Sequence, residues 1–242
     1  MNRLFVDKIK EGEKNLVLND PVQVHHLKDV LRVRVSEPVV VCDGSGSEYP
    51  GVVSEIGDKN VRLLLRGKKM RDGPEASITI ACAIPKNARM DDIVDKLTQL
   101  GVECIIPLET ERVIVRLDKE KKAYRLQRWE KIALSSARQS QRARLVKIEP
   151  VSSLDDVLSS SRVFDLKIIP TLEGDRKLLK DVVGGKRGRI IVLIGPEGDF
   201  TPAEVSSAKK AGFLPVSLGD NVLRVDTAAI AVASFIRLNE KN

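Results

Sequence analysis

The period of the hydrophobic pattern changes near residue 77, and this change constrains the fold of the 242-residue chain more than any other feature. Before it, short apolar runs are separated by turn sequences such as Asp43-Gly44-Ser45-Gly46. After it, short apolar runs alternate with segments in which hydrophobic residues recur at helical spacing. Alternating strands and helices predict a parallel sheet covered by helices on both faces. We therefore predict an α/β fold preceded by a small β-barrel.

A polar stretch rich in charge, Gly and Pro separates the two patterns at residues 68–75. Domain boundaries fall in such stretches because few contacts cross them. We predict two domains, residues 1–72 and 73–242. In the first, Asp20 and Pro21 suit the cap and first turn of a helix. Strands are expected there at 38–42, 49–56 and 61–65.

The second domain is expected to alternate strands and helices. Its predicted strands are 78–84, 102–108, 165–170, 189–194 and 213–218. Its predicted helices include 90–100, 118–138 and about 226–238. Thr201-Pro202-Ala203-Glu204 predicts another helix start, because the threonine can cap the helix while the glutamate reaches back to it.

Cysteine, histidine and apolar content narrow the classes of function. The three cysteines stand far apart in apolar runs, so we expect buried free thiols; they are Cys42, Cys82 and Cys104. The histidines are His25 and His26 alone, which makes zinc chemistry or a histidine triad unexpected. No apolar run reaches 18 residues and charge begins early at the N-terminus, so we expect a soluble, cytoplasmic protein without a membrane segment or a metal.

Positive charge is concentrated in one segment of the chain. The formal charge is +7 and the pI is near 9.3. Residues 112–147 contain twelve basic and three acidic residues, a net charge of +9, which leaves −2 for the rest. This concentration is typical of a surface for nucleic-acid phosphates, and the alternative is a long helix whose charges face water. The predicted RNA-binding arginines are Arg138, Arg142 and Arg144, extended by Arg3, Arg32 and Arg34.

Two C-terminal loops follow predicted strands and could form a ligand site. Ligands of open parallel sheets bind at the carboxyl ends of strands. The glycines of residues 195–198 would let a ligand approach the backbone, although an ordinary tight turn is the alternative. Residues 218–228 form the second loop, and Asp226 or Thr227 would cap the helix after it. Residues 169–174 form a third loop at the same edge. Glycine-rich NAD and ATP phosphate loops do not occur.

The two loops resemble motifs of a known enzyme family. Residues 195–204 resemble GPEGG[FL][ST]xxE, and residues 218–229 resemble LGxRILRxETA. Both motifs belong to the RsmE family of bacterial 16S ribosomal RNA uridine-N3 methyltransferases, in the SPOUT superfamily. His25-His26-Leu27 and residues 138–142 add matches in the family's order. The chain departs from the motifs at Asp199, in place of a glycine, and at Asn221 and Asp226, and it has Val225 where a threonine is usual.

The resemblance implies a PUA-like β-barrel followed by a SPOUT methyltransferase domain with a C-terminal trefoil knot, working as a homodimer. It also implies S-adenosylmethionine as cofactor and 16S ribosomal RNA of the small ribosomal subunit as partner. The implied cofactor-binding residues are Thr171, Leu172, Gly195, Pro196, Glu197, Gly198, Leu218, Gly219, Leu223, Val225 and Ala228.

Glu197 and Arg224 are the candidate catalytic residues. Methylation at N3 of uridine requires removal of a proton and stabilisation of charge on the flanking carbonyl oxygens, for which a carboxylate and a cation are suitable. Glu197 could instead fix its loop by accepting hydrogen bonds from backbone amides, and Arg224 could pair with Asp226.

Two other functions stay open from the sequence. One is a non-catalytic RNA-binding or assembly protein, which the departures at Asp199 and Asn221 make conceivable. The other is a SPOUT methyltransferase that acts on a different RNA atom, such as a ribose 2′-oxygen. Cofactor binding separates the first from an enzyme, and the methylated nucleoside identifies the second.

Overall fold

The computed structural model describes residues 2–71, 73–86, 89–113, 117–172, 174–185 and 187–240. The chain forms two compact units, the first within 1–73 and 137–145 and the second within 74–136 and 146–242. Residues 137–145, which the sequence-based division placed in the second domain, therefore belong to the first unit by their contacts. Three residues used in the sequence analysis lie outside the described residues: Asp72 at the predicted boundary, Arg116 in the basic segment and Glu173 in the third loop.

The first unit is a six-stranded sheet around its own apolar core. Its strands are β1 (Asn2–Phe5), β2 (Asn15–Leu18), β3 (Pro38–Cys42), β4 (Ser47–Ile56), β5 (Val61–Leu65) and β6 (Lys69–Met70). The order is β1-β3-β4-β5-β2, with β6 paired to β4. In β5, Val61, Leu63 and Leu65 point into the core, as the two-residue period of a strand requires. The pairings among the described residues leave β1 and β2 as edges of the sheet.

The helix of the first unit begins as the sequence predicts. Helix α1 (Pro21–His25) has Asp20 as its cap, and the Asp20 carboxylate accepts a hydrogen bond from the N–H of Gln23 at 3.1 Å. A π-helical turn, His26–Val30, continues it. Leu27 in this turn is fully buried in the core of the unit, so the helix is fixed against the sheet.

The second unit is built on a parallel sheet, as predicted. Its strands are β7 (Ala76–Ala83), β8 (Cys104–Glu109), β9 (Lys147–Ile148), β10 (Ser152–Ser153), β11 (Leu166–Pro170), β12 (Lys177–Leu178), β13 (Gly188–Ile194) and β14 (Leu214–Ser217). The order is β10-β8-β7-β13-β11-β14-β12, with β9 paired to β8. All the described pairings in this sheet are parallel.

Helices cover both faces of this sheet. They are α2 (Arg89–Gln99), α3 (Lys119–Gln139), α4 (Leu154–Ser160), α5 (Leu179–Val183), α6 (Pro202–Lys210) and α7 (Val225–Leu238), with a 3-10 turn at Ser161–Val163. Alternate residues of β13 serve the two faces: Ile190 and Val192 pack with α2, α3, α5 and α7, whereas Ile191 and Leu193 pack with α4 and α6. A strand buried on both faces is typical of a parallel sheet.

Helix ends confirm one sequence-based prediction and correct another. The N–H of Glu204 donates to Thr201 Oγ1 at 3.2 Å and the N–H of Thr201 donates to Glu204 Oε2 at 2.8 Å, which completes the predicted capping box of α6. The prediction that Asp226 or Thr227 caps α7 was wrong, because Arg224 occupies the cap position without a side-chain cap bond. The helix begins earlier because Val225 is buried in the core.

The three cysteines are free thiols, as predicted; Cys42 and Cys82 are buried and Cys104 is partly buried. Burial raises the pKa of the Cys104 thiol to about 12, so this thiol stays neutral at physiological pH. Within the described part of the chain, no cluster of three or more acidic, histidine or cysteine side chains is arranged to hold a metal ion. None of the described helices has the combination of length and hydrophobicity that spanning a lipid bilayer requires.

Candidate functional site

A cleft opens at the carboxyl ends of β11, β13 and β14. This is the sheet edge at which parallel α/β folds bind their ligands. The segments that follow these strands, together with the start of α7, line the cleft. The lining residues are Pro170, Thr171, Leu172, Arg176, Ile194, Gly195, Pro196, Glu197, Asp199, Leu218, Gly219, Asn221, Val222, Leu223, Val225 and Ala228.

The fold brings together almost all of the residues predicted to bind a cofactor. Of that set, Gly198 alone is missing from the cleft lining, and it borders an adjoining open cavity with Arg112 and Lys209. Of the two candidate catalytic residues, Glu197 lines the cleft. Arg224 does not, although it stands between two lining residues and is exposed. The binding and catalytic roles of these residues stay predictions.

Six lining residues were missing from the predicted site: Pro170, Arg176, Ile194, Asp199, Asn221 and Val222. Pro170 and Ile194 end predicted strands, so their position at the ligand edge could have been found from the strand pattern. Asn221 and Val222 lie inside the second motif. Nothing in the sequence indicated that Arg176 lines the cleft, because its position depends on the path of the chain between β11 and β12.

The cleft combines apolar walls with a few charged groups. Ile194, Pro196 and Val225 are buried behind it, and Val222 is 71% exposed. Glu197, Asp199 and Arg176 supply its charged groups. Apolar walls with a small number of placed polar groups are characteristic of sites for small organic molecules.

Glu197 connects two strand ends. The backbone N–H of Lys86, just beyond β7, donates to Glu197 Oε1 at 3.2 Å. The loop-fixing role considered in the sequence analysis is therefore present in the structure. It uses Oε1 of the carboxylate, and it places Glu197 between the ends of β7 and β13.

Thr171 joins the loop after β11 to strand β14 and to the loop after β13. Its N–H donates to the carbonyl of Val216 in β14 at 3.3 Å, and its carbonyl accepts from the Arg176 guanidinium at 3.0 Å. Its hydroxyl donates to Asp199 Oδ2 at 3.0 Å. The side chain is buried, with 7% exposure, so these bonds are shielded from water and fix the geometry of the cleft.

Glycine is required at position 195 by close packing. A Cβ there would lie 3.0 Å from the ring of Phe200 and 3.3 Å from Asp199 Oδ1. Phe200 is 3% exposed and belongs to the core between the sheet and α6, so its ring cannot move away easily. Gly198 differs, because its nearest neighbour would be Cδ of Arg112 at 3.6 Å, an ordinary contact.

Cys82 is the penultimate residue of β7. Burial raises the pKa of its thiol, and the carboxylates of Asp226 and Glu197 raise it further. The thiol is consequently neutral and unsuited to act as a nucleophile. Oδ1 of Asp226 is buried and lacks a hydrogen-bond partner among the described residues. Among the described residues, Arg224 and Asp226 do not form the ion pair that was the alternative role for Arg224.

The predicted RNA-binding arginines all lie in the first unit. Arg144 forms backbone bridges to Gly44 and Ser45, and its guanidinium packs against Gly46. Arg138 is half-buried, and its Nε has no hydrogen-bond partner among the described residues. Burial lowers the pKa of Arg138.

The remaining arginines of that set have different surroundings. Arg32 and Arg34 are exposed, and Arg142 is partly buried. Arg3 donates to Glu48 Oε1 at 2.7 Å and its side chain is 10% exposed. The charge of Arg3 is thus neutralised inside the first unit, which makes it a structural cation.

Several basic residues of the 112–147 segment are paired within the second unit. Lys122 binds Glu109 at 2.8 Å and Arg128 binds Asp91 at 2.6 Å. Lys121 binds Asp118 at 2.8 Å on the exposed start of α3. Part of the +9 charge seen in the sequence is therefore neutralised locally, and the arginines after residue 137 are separate from this paired group.

Comparison with protein families gives two matches along the chain. Residues 72–237 match the family described as RNA methyltransferase domain. Residues 18–65 match the family described as RNA methyltransferase PUA domain. The two matches fall on the parallel α/β sheet and on the N-terminal sheet.

Individual relatives cover nearly the full chain. The ribosomal RNA small subunit methyltransferase E of Mesomycoplasma hyopneumoniae is 30% identical over 95% of this chain and 96% of its own length. The protein of the same name from Bacillus subtilis is 27% identical over 98% and 96%. The crystal structure of ribosomal RNA small subunit methyltransferase E from Neisseria gonorrhoeae bound to S-adenosyl methionine is 28% identical, covers 99% of this chain and 98% of that one, and has a TM-score of 0.88.

The contrast between the two glycines of the loop gives a testable prediction. Gly195→Ala is expected to lower the free energy of unfolding by about 1–3 kcal/mol, because the added methyl group overpacks the buried Phe200 ring. Gly198→Ala is the matched control and is expected to change it by less than about 0.5 kcal/mol. Urea denaturation of the two variants and the wild type measures both values. Equal stability of the two variants would contradict this account of the loop.

Proposed function

The chain belongs to the RNA methyltransferase family, and with its relatives as a guide we propose that it transfers a methyl group from S-adenosylmethionine to N3 of a uridine in 16S ribosomal RNA of the small ribosomal subunit. The observation that carries this proposal is the cleft at the ends of β11, β13 and β14. Both motifs that resemble the RsmE family lie in that cleft. A protein of the same fold over the full chain binds S-adenosyl methionine.

The residues of the cleft suit this cofactor. Leu172, Leu218 and Leu223 offer apolar surface for an adenine ring, and backbone groups beside Gly195 and Gly219 are accessible for its polar edge. When bound, S-adenosylmethionine supplies a methyl group on a positively charged sulfur. The carboxylates of the cleft complement that charge.

Glu197 and Arg224 are the residues to which we assign the chemistry on the base. The uridine must leave its pairing and lose its N3 proton. Oε1 of Glu197 accepts a hydrogen bond from the N–H of Lys86, so we assign Oε2 as the atom that accepts the N3 proton of the uridine. Arg224 is exposed between two cleft-lining residues, where its guanidinium can stabilise negative charge on a uracil carbonyl oxygen.

The first unit supplies the RNA-binding surface in this proposal, with Arg32, Arg34, Arg138, Arg142 and Arg144. Arg138 supports it best. A half-buried guanidinium whose Nε lacks a partner among the described residues has lost hydration without compensation. An RNA phosphate beside the exposed part of the side chain would compensate the charge of this guanidinium.

A trefoil knot and a homodimer complete the proposed architecture. The chain leaves β14, next to β11, and returns to α7, which packs against α2 and β7 beyond β13. A chain that crosses the ends of β11 and β13 in this way can pass through a loop formed by an earlier segment, which would make the knot. Leu238 at the end of α7 is 83% exposed, and burial of such apolar surface by a second copy favours a dimer. We place the reaction in the cytoplasm, with the small ribosomal subunit.

The function is tested by cofactor binding and by the identity of the product. We expect calorimetry to show binding of S-adenosylmethionine to the purified chain. After incubation with 16S ribosomal RNA or small subunits, mass spectrometry of the nucleosides is expected to show N3-methyluridine. Glu197→Gln keeps an acceptor for the N–H of Lys86, so cofactor binding should persist while methyl transfer slows by about 100-fold or more.

Each alternative function has its own outcome in this experiment. Failure of the wild type to bind S-adenosylmethionine would point to a non-catalytic RNA-binding protein. Appearance of a 2′-O-methylated nucleoside instead of N3-methyluridine would assign the enzyme to another RNA atom. A fully active Glu197→Gln variant would remove the carboxylate from the mechanism.

The RNA-binding proposal predicts a change in salt dependence. Replacing both Arg138 and Arg142 by Ala should weaken RNA binding and reduce the slope of log K against log salt by about two, because each lost phosphate contact reduces it by about one. Lys121→Ala, in which the removed charge is already paired with Asp118, serves as the control with a nearly unchanged slope. Filter binding at several salt concentrations measures the slopes. A Lys121→Ala effect as large as that of the arginine pair would move the binding surface to α3.

The dimer proposal predicts the mass of the particle in solution. Light scattering of the purified protein should give about twice 26.7 kDa at micromolar concentration, since an apolar helix face favours association. Leu238→Glu is expected to shift the population toward the monomer, because it places a charge at the exposed apolar end of α7. A monomeric wild type would refute the dimer and leave the cleft unaffected.

A further inference from the structure

We propose that Asp199 is a positioning residue for the cofactor: its carboxylate holds the loop of Thr171 and Leu172 against the turn of residues 195–199, so that the cleft is formed before the cofactor binds. This inference rests on the proposed cofactor site. The motif that this segment resembles has a glycine at the position, so the motif itself assigns no side-chain role to residue 199.

The backbone at Asp199 has the conformation that the glycine of the motif would favour. Its φ is +58°, in the left-handed region. Aspartate tolerates this region better than most residues with a side chain, because its short polar group can bond locally. The N–H of Asp199 donates to the carbonyl of Pro196 at 2.9 Å and closes the turn. The chain thus keeps a glycine-like turn and gains a carboxylate at its end.

Three donors use both oxygens of that carboxylate. Oδ2 accepts from the Thr171 hydroxyl at 3.0 Å and from the Leu172 N–H at 2.8 Å. Oδ1 accepts from the N–H of Phe200 at 2.8 Å. Bonds to an ionised acceptor are stronger than neutral ones. The carboxylate is therefore occupied by the protein itself, and its role is to hold the loops in place.

The two residues that this carboxylate holds, Thr171 and Leu172, differ in their burial. Leu172 lines the cleft yet is exposed, so little packing fixes its backbone. Thr171, in contrast, is buried and bonded to Val216 of β14. Asp199 extends this anchoring from Thr171 to Leu172 by accepting from both. Without the carboxylate, the N–H of Leu172 would lose its hydrogen-bond acceptor. The backbone at Leu172 would then become ordered only when the cofactor binds, and the cost of ordering it would reduce the affinity.

The central experiment compares the wild type with Asp199→Gly and Asp199→Asn. Both variants can keep the left-handed turn, so the backbone is not the variable. Asp199→Gly removes every side-chain bond and should weaken S-adenosylmethionine binding about tenfold in calorimetry. Asp199→Asn keeps an acceptor and loses the charge, so its dissociation constant should lie between those of the wild type and Asp199→Gly.

A second measurement reads the loop without cofactor. Hydrogen exchange of the Leu172 amide in the unliganded protein should be faster in Asp199→Gly than in the wild type. In Asp199→Asn it should be slower than in Asp199→Gly. Thr171→Val removes one donor to the same carboxylate. The effect of Asp199→Gly on cofactor affinity should be smaller in the Thr171→Val background than in the wild type, as expected for coupled partners.

Ser36→Gly is the matched control. Ser36 also has a positive φ, +70°, and belongs to the first unit, whereas all the residues that line the cleft belong to the second. The Ser36→Gly variant shows the effect of a new glycine at a position with left-handed backbone. We expect it to leave the cofactor affinity unchanged. Unchanged cofactor affinity in Asp199→Gly, with a wild type that binds, would overturn the positioning role alone. A wild type that binds no S-adenosylmethionine would overturn the proposed function, and the positioning role with it.

Discussion

Burial of β13 on both faces is the constraint on which the second unit depends. Its side chains serve two separate apolar clusters, so neither face can be uncovered without exposing a core. The strands beside it run parallel to it, as is typical of a sheet covered on both faces, and their carboxyl ends meet at one edge. Because the loops after β11, β13 and β14 all start from that edge, the cleft is a consequence of how the sheet is packed. The loops themselves decide only its detailed shape and charge.

Hydrogen bonds between loops add to this packing and orient the polar groups of the cleft. Thr171 contacts β14 through its backbone and the β13 loop through its hydroxyl. Glu197 extends the same arrangement to the end of β7. These bonds connect four strand ends that lie close together in the sheet and far apart in the sequence. A ligand in the cleft would therefore meet a surface in which polar groups are already oriented, and orientation before binding reduces the entropy lost on association.

Much of this architecture could be predicted from the sequence, and the remainder shows where sequence patterns lose information. The strands at 38–42 and 61–65, the alternating second unit and the capping box at Thr201 follow from local periodicity and capping chemistry. The family resemblance placed the two loops in one site. Arg176 and the bonds of Asp199 were not predictable, because they depend on contacts between segments distant in the chain. The charge pattern also overstated the exposed positive surface, since pairing of Lys122 with Glu109 is invisible to a residue count.

The first unit is discontinuous in the sequence. Residues 137–145 complete it, with Leu145 donating to the carbonyl of Gly44 at 3.0 Å and the Arg71 guanidinium to the carbonyl of Gln141 at 2.9 Å. During synthesis, these contacts must wait until more than sixty residues of the second unit have been translated. The first unit is therefore complete only after part of the second has been translated, although domains commonly fold in order of synthesis. Its completion is tied to the elongation of the domain that carries the cleft, so a ribosome that stalls between residues 74 and 136 would leave a chain with neither unit finished.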